Sequence, residues 1–138
     1  EVTGAPLRFD ALLQERNCGD VRGTPYADLD FDLFASDYDP PAGESWERFE
    51  ARMDQAWPLI ERAAAECDEN LAVITHGLVC RSVVARRALP AEGPDPSPLG
   101  LAWRNTSVTI LVGPDPWRVR LLNCGAHLDD GSQNGGVV

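Results

Sequence analysis

A chain of 138 residues is long enough for one domain with a real core and too short for two ordinary ones. Its 22 acidic residues against 12 basic ones, all of them arginine, give a formal charge of -10, which makes nucleic acid and anionic membrane poor partners. No apolar run approaches the length of about eighteen residues that spans a bilayer, and Glu1 to Asp10 lacks the basic start and apolar stretch of a signal peptide, so a cytoplasmic protein is expected.

In chain order, Leu7 to Leu13 reads as a short strand or extended approach to Gln14, Glu15 and Arg16. Gly19 and Gly23 bracket a loop, and Thr24 before Pro25 resembles an N-cap with proline at the first helical position, predicting a short helix from Pro25 to about Leu33. The aspartates at 28, 30, 32, 37 and 39 lack the tight spacing and closing glutamate of a calcium loop and read as a solvated acidic segment. Pro40, Pro41 and Gly43 then break the chain ahead of a long amphipathic helix predicted from Ser45 to about Cys67. Its stripe is Trp46, Phe49, Met53, Trp57, Ile60 and Ala64, which repeat every three or four residues. Ser45 suits the N-cap and Glu47 the positive end of the helix dipole, while Pro58 predicts a kink.

Leu71 to Thr75 is a short apolar run with Val73 and Ile74 at its centre, the pattern of a strand buried on both faces. His76 and Gly77 interrupt it. Leu78, Val79, Val83, Val84 and Leu89 then fall at helical spacing and Pro90 ends the segment. A strand, a His-Gly turn and a helix place His76 where open α/β sheets bind ligands, beside helix N-H groups that attract anions. Pro90 to Gly100 is proline-rich and irregular. Val108 to Val112 and Trp117 to Leu122 alternate as two strands of a hairpin whose loop is Gly113 to Pro116. The polar tail after Leu128 is expected to be disordered, giving a domain over residues 1–128 and a tail over 129–138. The cysteines at 18, 67, 80 and 124 form no C-x-x-C pair, and Cys124 with His127 lacks two further ligands, so free thiols and no metal site are expected.

Several stretches stand in one order around the His-Gly turn. They are L-L-Q-E-R-N-C-G-D-V-R-G-T-P-Y-A-D-L from Leu12 to Leu29, P-A-G-E-S-W-E-R-F from Pro41 to Phe49, and T-H-G followed by Arg81. N-T-S-V-T-I-L from Asn105 to Leu111 and W-R-V-R-L-L-N-C-G-A-H-L from Trp117 to Leu128 follow them. Together they resemble the histidine phosphatase superfamily, the phosphoglycerate mutase-like fold, and are more similar to its small phosphatases than to the glycolytic mutases with their longer insertions. The resemblance implies an α/β fold of three layers, α/β/α, with a mostly parallel sheet and a C-terminal hairpin, here incomplete at the N-terminus. It implies phosphomonoester hydrolysis or phosphoryl transfer through a phosphohistidine, on a small phosphorylated metabolite, with no cofactor and no metal.

Residue by residue, His76 matches the family's second histidine, which holds the phosphoryl group in the transition state, helped by the N-H of Gly77. Glu15 matches the general acid that protonates the leaving oxygen. Arg16 matches a position that binds substrate phosphate in some members, an ordinary surface arginine being the alternative. Arg81 follows the pattern too, or braces the strand ends. His127 corresponds to a frequent tail histidine, for which a surface or capping role is the alternative.

The family's Arg-His-Gly strand end, which carries the nucleophilic histidine, has no counterpart among these residues, nor has the Ser-Asp-Leu-x-Arg-Ala segment that follows it. A phosphohistidine mechanism needs that nucleophile. The expectation is therefore that a preceding segment or a second chain supplies it, a homo-oligomer being the other assembly considered, and that the printed chain alone is inactive. The alternatives are a non-catalytic phosphate-binding or regulatory protein of the same fold, and a hydrolase using Cys80 with His76.

Overall fold

The computed structural model describes residues 4–90 and 103–128. Two helices and one β-hairpin make up its regular structure: α1 (Trp46–Ala65), α2 (Gly77–Arg87), β1 (Val108–Val112) and β2 (Arg118–Cys124), with short 3-10 turns in the connections.

Helix α1 forms as its stripe dictates. Ser45 is the N-cap, its Oγ accepting from the Arg48 N-H, and Glu47 lies in the first turn. Phe49, Met53, Ala56 and Trp57 are buried along one face. The helix runs through Pro58, whose ring costs the Asp54 carbonyl its usual donor, and stays helical on both sides. Helix α2 starts at the His-Gly turn, and after Arg87 the backbone turns extended at Ala88, ahead of Pro90. Val79, Ser82 and Val84 are its buried residues.

The core lies where these helices cross. Phe49 (0% exposed), Met53, Ala56 and Val79 form its centre, with Leu12, Leu13, Trp46 and Leu78 packed around them. Polar ties reinforce the crossing: Ser82 Oγ donates to Glu50 Oε2 at 2.7 Å, Arg86 pairs with the same carboxylate, and Arg87 pairs with Asp54. The hairpin joins at the far end of α1. Trp57 and Trp117 meet edge to face at 5.6 Å, and Trp117 Nε1 donates to Glu61 at 2.9 Å. Leu89 forms a parallel bridge to β2, its N-H donating to the Trp117 carbonyl and its carbonyl accepting from Val119 N.

The antiparallel hairpin matches the sequence reading in β1, while β2 begins one residue later and runs on to Cys124. Other expectations change. Leu7 to Leu13 is not a strand: its first part is exposed chain and its last three residues, Ala11–Leu13, form a 3-10 turn. The helix expected from Pro25 to Leu33 is only the 3-10 turn Tyr26–Asp28, with Pro25 as its cap and bends beyond, because the clustered aspartates compete for backbone N-H groups. Leu71 to Thr75 takes no regular secondary structure, and is not buried. No described residue forms a ladder with it, and Leu71, Val73 and Ile74 are exposed. The expectations for Ala91 to Gly100 and for the tail after Leu128 lie outside the described residues.

Candidate functional site

The site is assembled from three pieces: the loop through Glu15, the loop through Glu44, and the first turn of α2. Two glycines let the loops touch. Gly19 has φ +55°, and a Cβ there would lie 2.0 Å from the Pro41 carbonyl oxygen; a Cβ on Gly43 would lie 2.6 Å from the Asn17 oxygen. Backbone bonds then lock the loops, from Asp20 N to Pro41 O at 3.0 Å and from Glu44 N to Asn17 O at 2.8 Å.

Glu15 leaves this platform toward α2. One carboxylate oxygen accepts from the Arg16 N-H at 2.9 Å, and the other accepts from the Leu78 N-H at 3.2 Å. Leu78 is the second residue of α2, where helical N-H groups have no intrahelical partner. His76 is the N-cap residue but makes no side-chain cap, so the Glu15 carboxylate serves α2 as a cap reached across 63 residues of sequence. Thr75 Oγ1 donates to the Leu13 carbonyl at 2.7 Å and ties the other side of the turn to the same loop. The structure thus brings Glu15, His76 and Gly77 together. The His76 side chain is exposed. Trp103 borders the turn, since a Cβ on Gly77 would meet Trp103 Cβ at 3.5 Å.

Arg16 takes the opposite direction from the one expected of a phosphate ligand. It is 3% exposed. Its guanidinium donates to the carbonyls of Glu44 (2.9 Å), Tyr38 (2.7 Å) and Leu33 (3.5 Å), lies 3.6 Å from Asp39, and stacks 4.0 Å over the Trp46 ring. Burial pulls its value down and the neighbouring Cys18, Asp39 and Glu44 pull it back. Neither reading of Arg16, phosphate ligand or surface arginine, describes this buried group, whose guanidinium pins three loop carbonyls.

Arg81 is half-buried on α2, one turn beyond His76, and its side chain makes no hydrogen bond or ion pair with a described residue. His127 is exposed in the 3-10 turn Ala126–Leu128. Among the described residues no cluster of His, Cys, Asp or Glu could hold a metal ion. Burial pushes the Cys80 thiol up, and the Glu15 charge adds to the rise. A thiol so held is scarce as thiolate, which argues against Cys80 as a nucleophile.

Two residues that hold the Glu15 loop were given no role by the sequence, although Glu44 lies within the quoted stretch Pro41 to Phe49. Glu44 and Arg52 form a forked pair, Nε to Oε1 at 2.8 Å and Nη2 to Oε2 at 2.7 Å. Arg52 sits on the polar flank of α1, where nothing in the spacing separates it from an ordinary solvated arginine. A cleft of about 200 Å³ lies beside this pair, lined by Gln14, Glu15, Asn17, Glu44, Arg48 and Arg52. A larger cleft, about 610 Å³ between Trp57, Leu89, Pro116 and Trp117, contains none of the expected site residues.

The family model described as histidine phosphatase superfamily (branch 1) matches residues 1–125. No curated protein and no solved structure matches the chain. No described helix is long and apolar enough to cross a membrane.

Proposed function

Because the chain belongs to the histidine phosphatase superfamily, branch 1, we propose that the turn at His76 is half of a phosphoryl-transfer site acting on a small phosphorylated metabolite. Membership gives the chain an α/β fold and a phosphatase- or mutase-type function at the coarse level. In our reading the intact fold has the family's three layers and mostly parallel sheet.

The observation that carries the proposal is the bond between Glu15 and the Leu78 N-H, because it puts a carboxyl group at an anion-attracting helix start beside an exposed histidine. Protonated, Glu15 can give its proton to the leaving alkoxide of a phosphate ester. His76 and the N-H groups of Gly77 and Leu78 can receive the phosphoryl oxygens once the carboxyl group swings onto the ester. Arg81 lies on the same helix, nearer the turn than Arg86 and Arg87, which pair with Glu50 and Asp54. Arg16 has no part in this, its donors being committed to the loop.

The reaction splits into attack by a histidine on phosphorus and hydrolysis of the phosphohistidine by water. The chain holds only His76 and His127, and neither stands in an Arg-His-Gly context. The attacking histidine in this proposal comes from outside the printed residues, upstream or on a second chain. That same observation favours a second reading, a phosphate-binding protein of this fold without turnover.

Two measurements test the proposal. Titrating the 15N-labelled chain with orthovanadate should move the signals of His76, Gly77 and Leu78 saturably; no movement overturns the site. The gene product as its reading frame encodes it should hydrolyse an aryl phosphate and yield an acid-labile phosphoenzyme. Vanadate binding without either would overturn the enzymatic reading in favour of the binding one.

A further inference from the structure

Arg52 uses its whole guanidinium. Besides the fork to Glu44, Nη1 donates to the carbonyls of Leu12 at 2.6 Å and Gln14 at 2.9 Å, and Nη2 reaches the Glu15 carbonyl at 3.4 Å. A guanidinium has five N-H donors in a fixed plane, and here they meet five acceptors. Three of those acceptors are backbone carbonyls within the four residues that end at Glu15. They are 37 to 40 positions away in sequence, so the loop is held by a helix rather than by itself.

The support below Arg52 is rigid. Its guanidinium lies 5.1 Å from the ring of Phe49, a fully buried residue of the core. Glu44, its carboxylate partner, is fixed in turn by the Asn17 carbonyl, by the Asn17 N-H at 3.4 Å and by Arg16. A line of contacts therefore runs from the core through Arg52 to the Glu15 backbone and ends at the Glu15 carboxylate on α2.

We propose that Arg52, oriented by Glu44, is a positioning residue for Glu15: it clamps the carbonyls of Leu12, Gln14 and Glu15 so that the carboxylate meets the start of α2 instead of solvent. This rests on Glu15 being the acid of a phosphoryl-transfer site. Positioning matters for such a group because proton transfer demands hydrogen-bond reach, and a misplacement of about 1 Å can cost about 100-fold in rate. Lysine cannot replace it. An ammonium keeps the charge but offers three donors from one point, too few and too convergent for a carboxylate and three spread carbonyls.

The test reads Glu15 placement directly, through amide exchange of Leu78 in the full chain by NMR, with the Val84 amide as the fold control. Arg52→Lys, Glu44→Gln and Arg52→Ala should each speed Leu78 exchange about tenfold more than they speed Val84 exchange, approaching Glu15→Ala. Arg52→Ala also strips the packing over Phe49. If it unfolds, Arg52→Lys and Glu44→Gln decide, since both keep their methylene groups. Leu78 exchange at the wild-type rate in Arg52→Lys, with Val84 protected, overturns the clamp. So does equal acceleration of Leu78 and Val84, which would mark a general loss of stability. Orthovanadate titration of the same samples separates the two claims: a Leu78 response to Arg52 with no vanadate binding keeps the clamp and removes the phosphoryl-transfer reading.

Discussion

The two sides of the His76 turn are held in different ways. On the Glu15 side, polar groups are matched: Arg16 and Arg52 together satisfy six loop carbonyls and the Glu44 carboxylate, and the glycines at 19 and 43 let the loops close on each other. On the approach through Leu71 to Thr75 the backbone forms no ladder with a described residue, Ile74 is 89% exposed, and the turn is tethered by the Thr75 hydroxyl on Leu13 and by Glu15 on Leu78. The contrast separates two jobs. Glu15 is preset by a network rooted in the core, whereas His76 is placed largely by contacts made to the Glu15 loop.

The largest effect should come from breaking the root of the tied side. Phe49→Ala removes a fully buried ring from beneath Arg52 and from the α1–α2 crossing, and should cost about 3–5 kcal/mol in urea unfolding. A cost under about 1 kcal/mol would mean the core does not carry the site.

A smaller effect, with a pH signature, should follow Glu44→Gln. Hydrogen bonds from Arg52 hold the Glu44 carboxyl below its ordinary 4.5; burial opposes this, and the Arg52 charge and the Asn17 N-H add to it. A carboxyl depressed in the folded state stabilises fully above its unfolded value, and that stability is lost as pH falls through the folded value. Wild type should therefore exceed Glu44→Gln by about 2 kcal/mol at pH 7, with the gap closing below about pH 4.5. A gap that stays constant down to pH 3 would show that the packing, not the charge, of Glu44 matters.

What the residues alone made legible follows the same division. Helix α1 and the hairpin were readable because their signals are local: a 3.6-residue stripe behind a serine cap, and alternation on either side of a Gly-Pro-Asp-Pro loop. Glu15, His76 and Gly77 were singled out through the family pattern, and the structure sets the Glu15 carboxylate on the Leu78 N-H, next in sequence to Gly77. The direction of Arg16 was not, because whether a guanidinium faces a ligand or three carbonyls depends on how two loops about 25 residues apart dock, which no spacing encodes. Arg52 was invisible for the same reason. The strand reading of Leu71 to Thr75 rested on composition, but a strand exists only with a neighbour to bond to.

That segment supplies the smallest expected effect and the sharpest check on the open side. Ile74→Thr keeps β-branching, so the backbone is undisturbed, and it removes apolar surface that is already in water. Burial energy scales with area withdrawn from solvent, so a side chain this exposed has little to lose, and the change should stay within about 0.5 kcal/mol in urea unfolding. The urea midpoint should also be independent of protein concentration. A loss above about 1 kcal/mol, or a midpoint that rises with concentration in wild type and not in the variant, would mean that something covers Ile74 in solution, and the open side of the comparison would have to be redrawn as an interface.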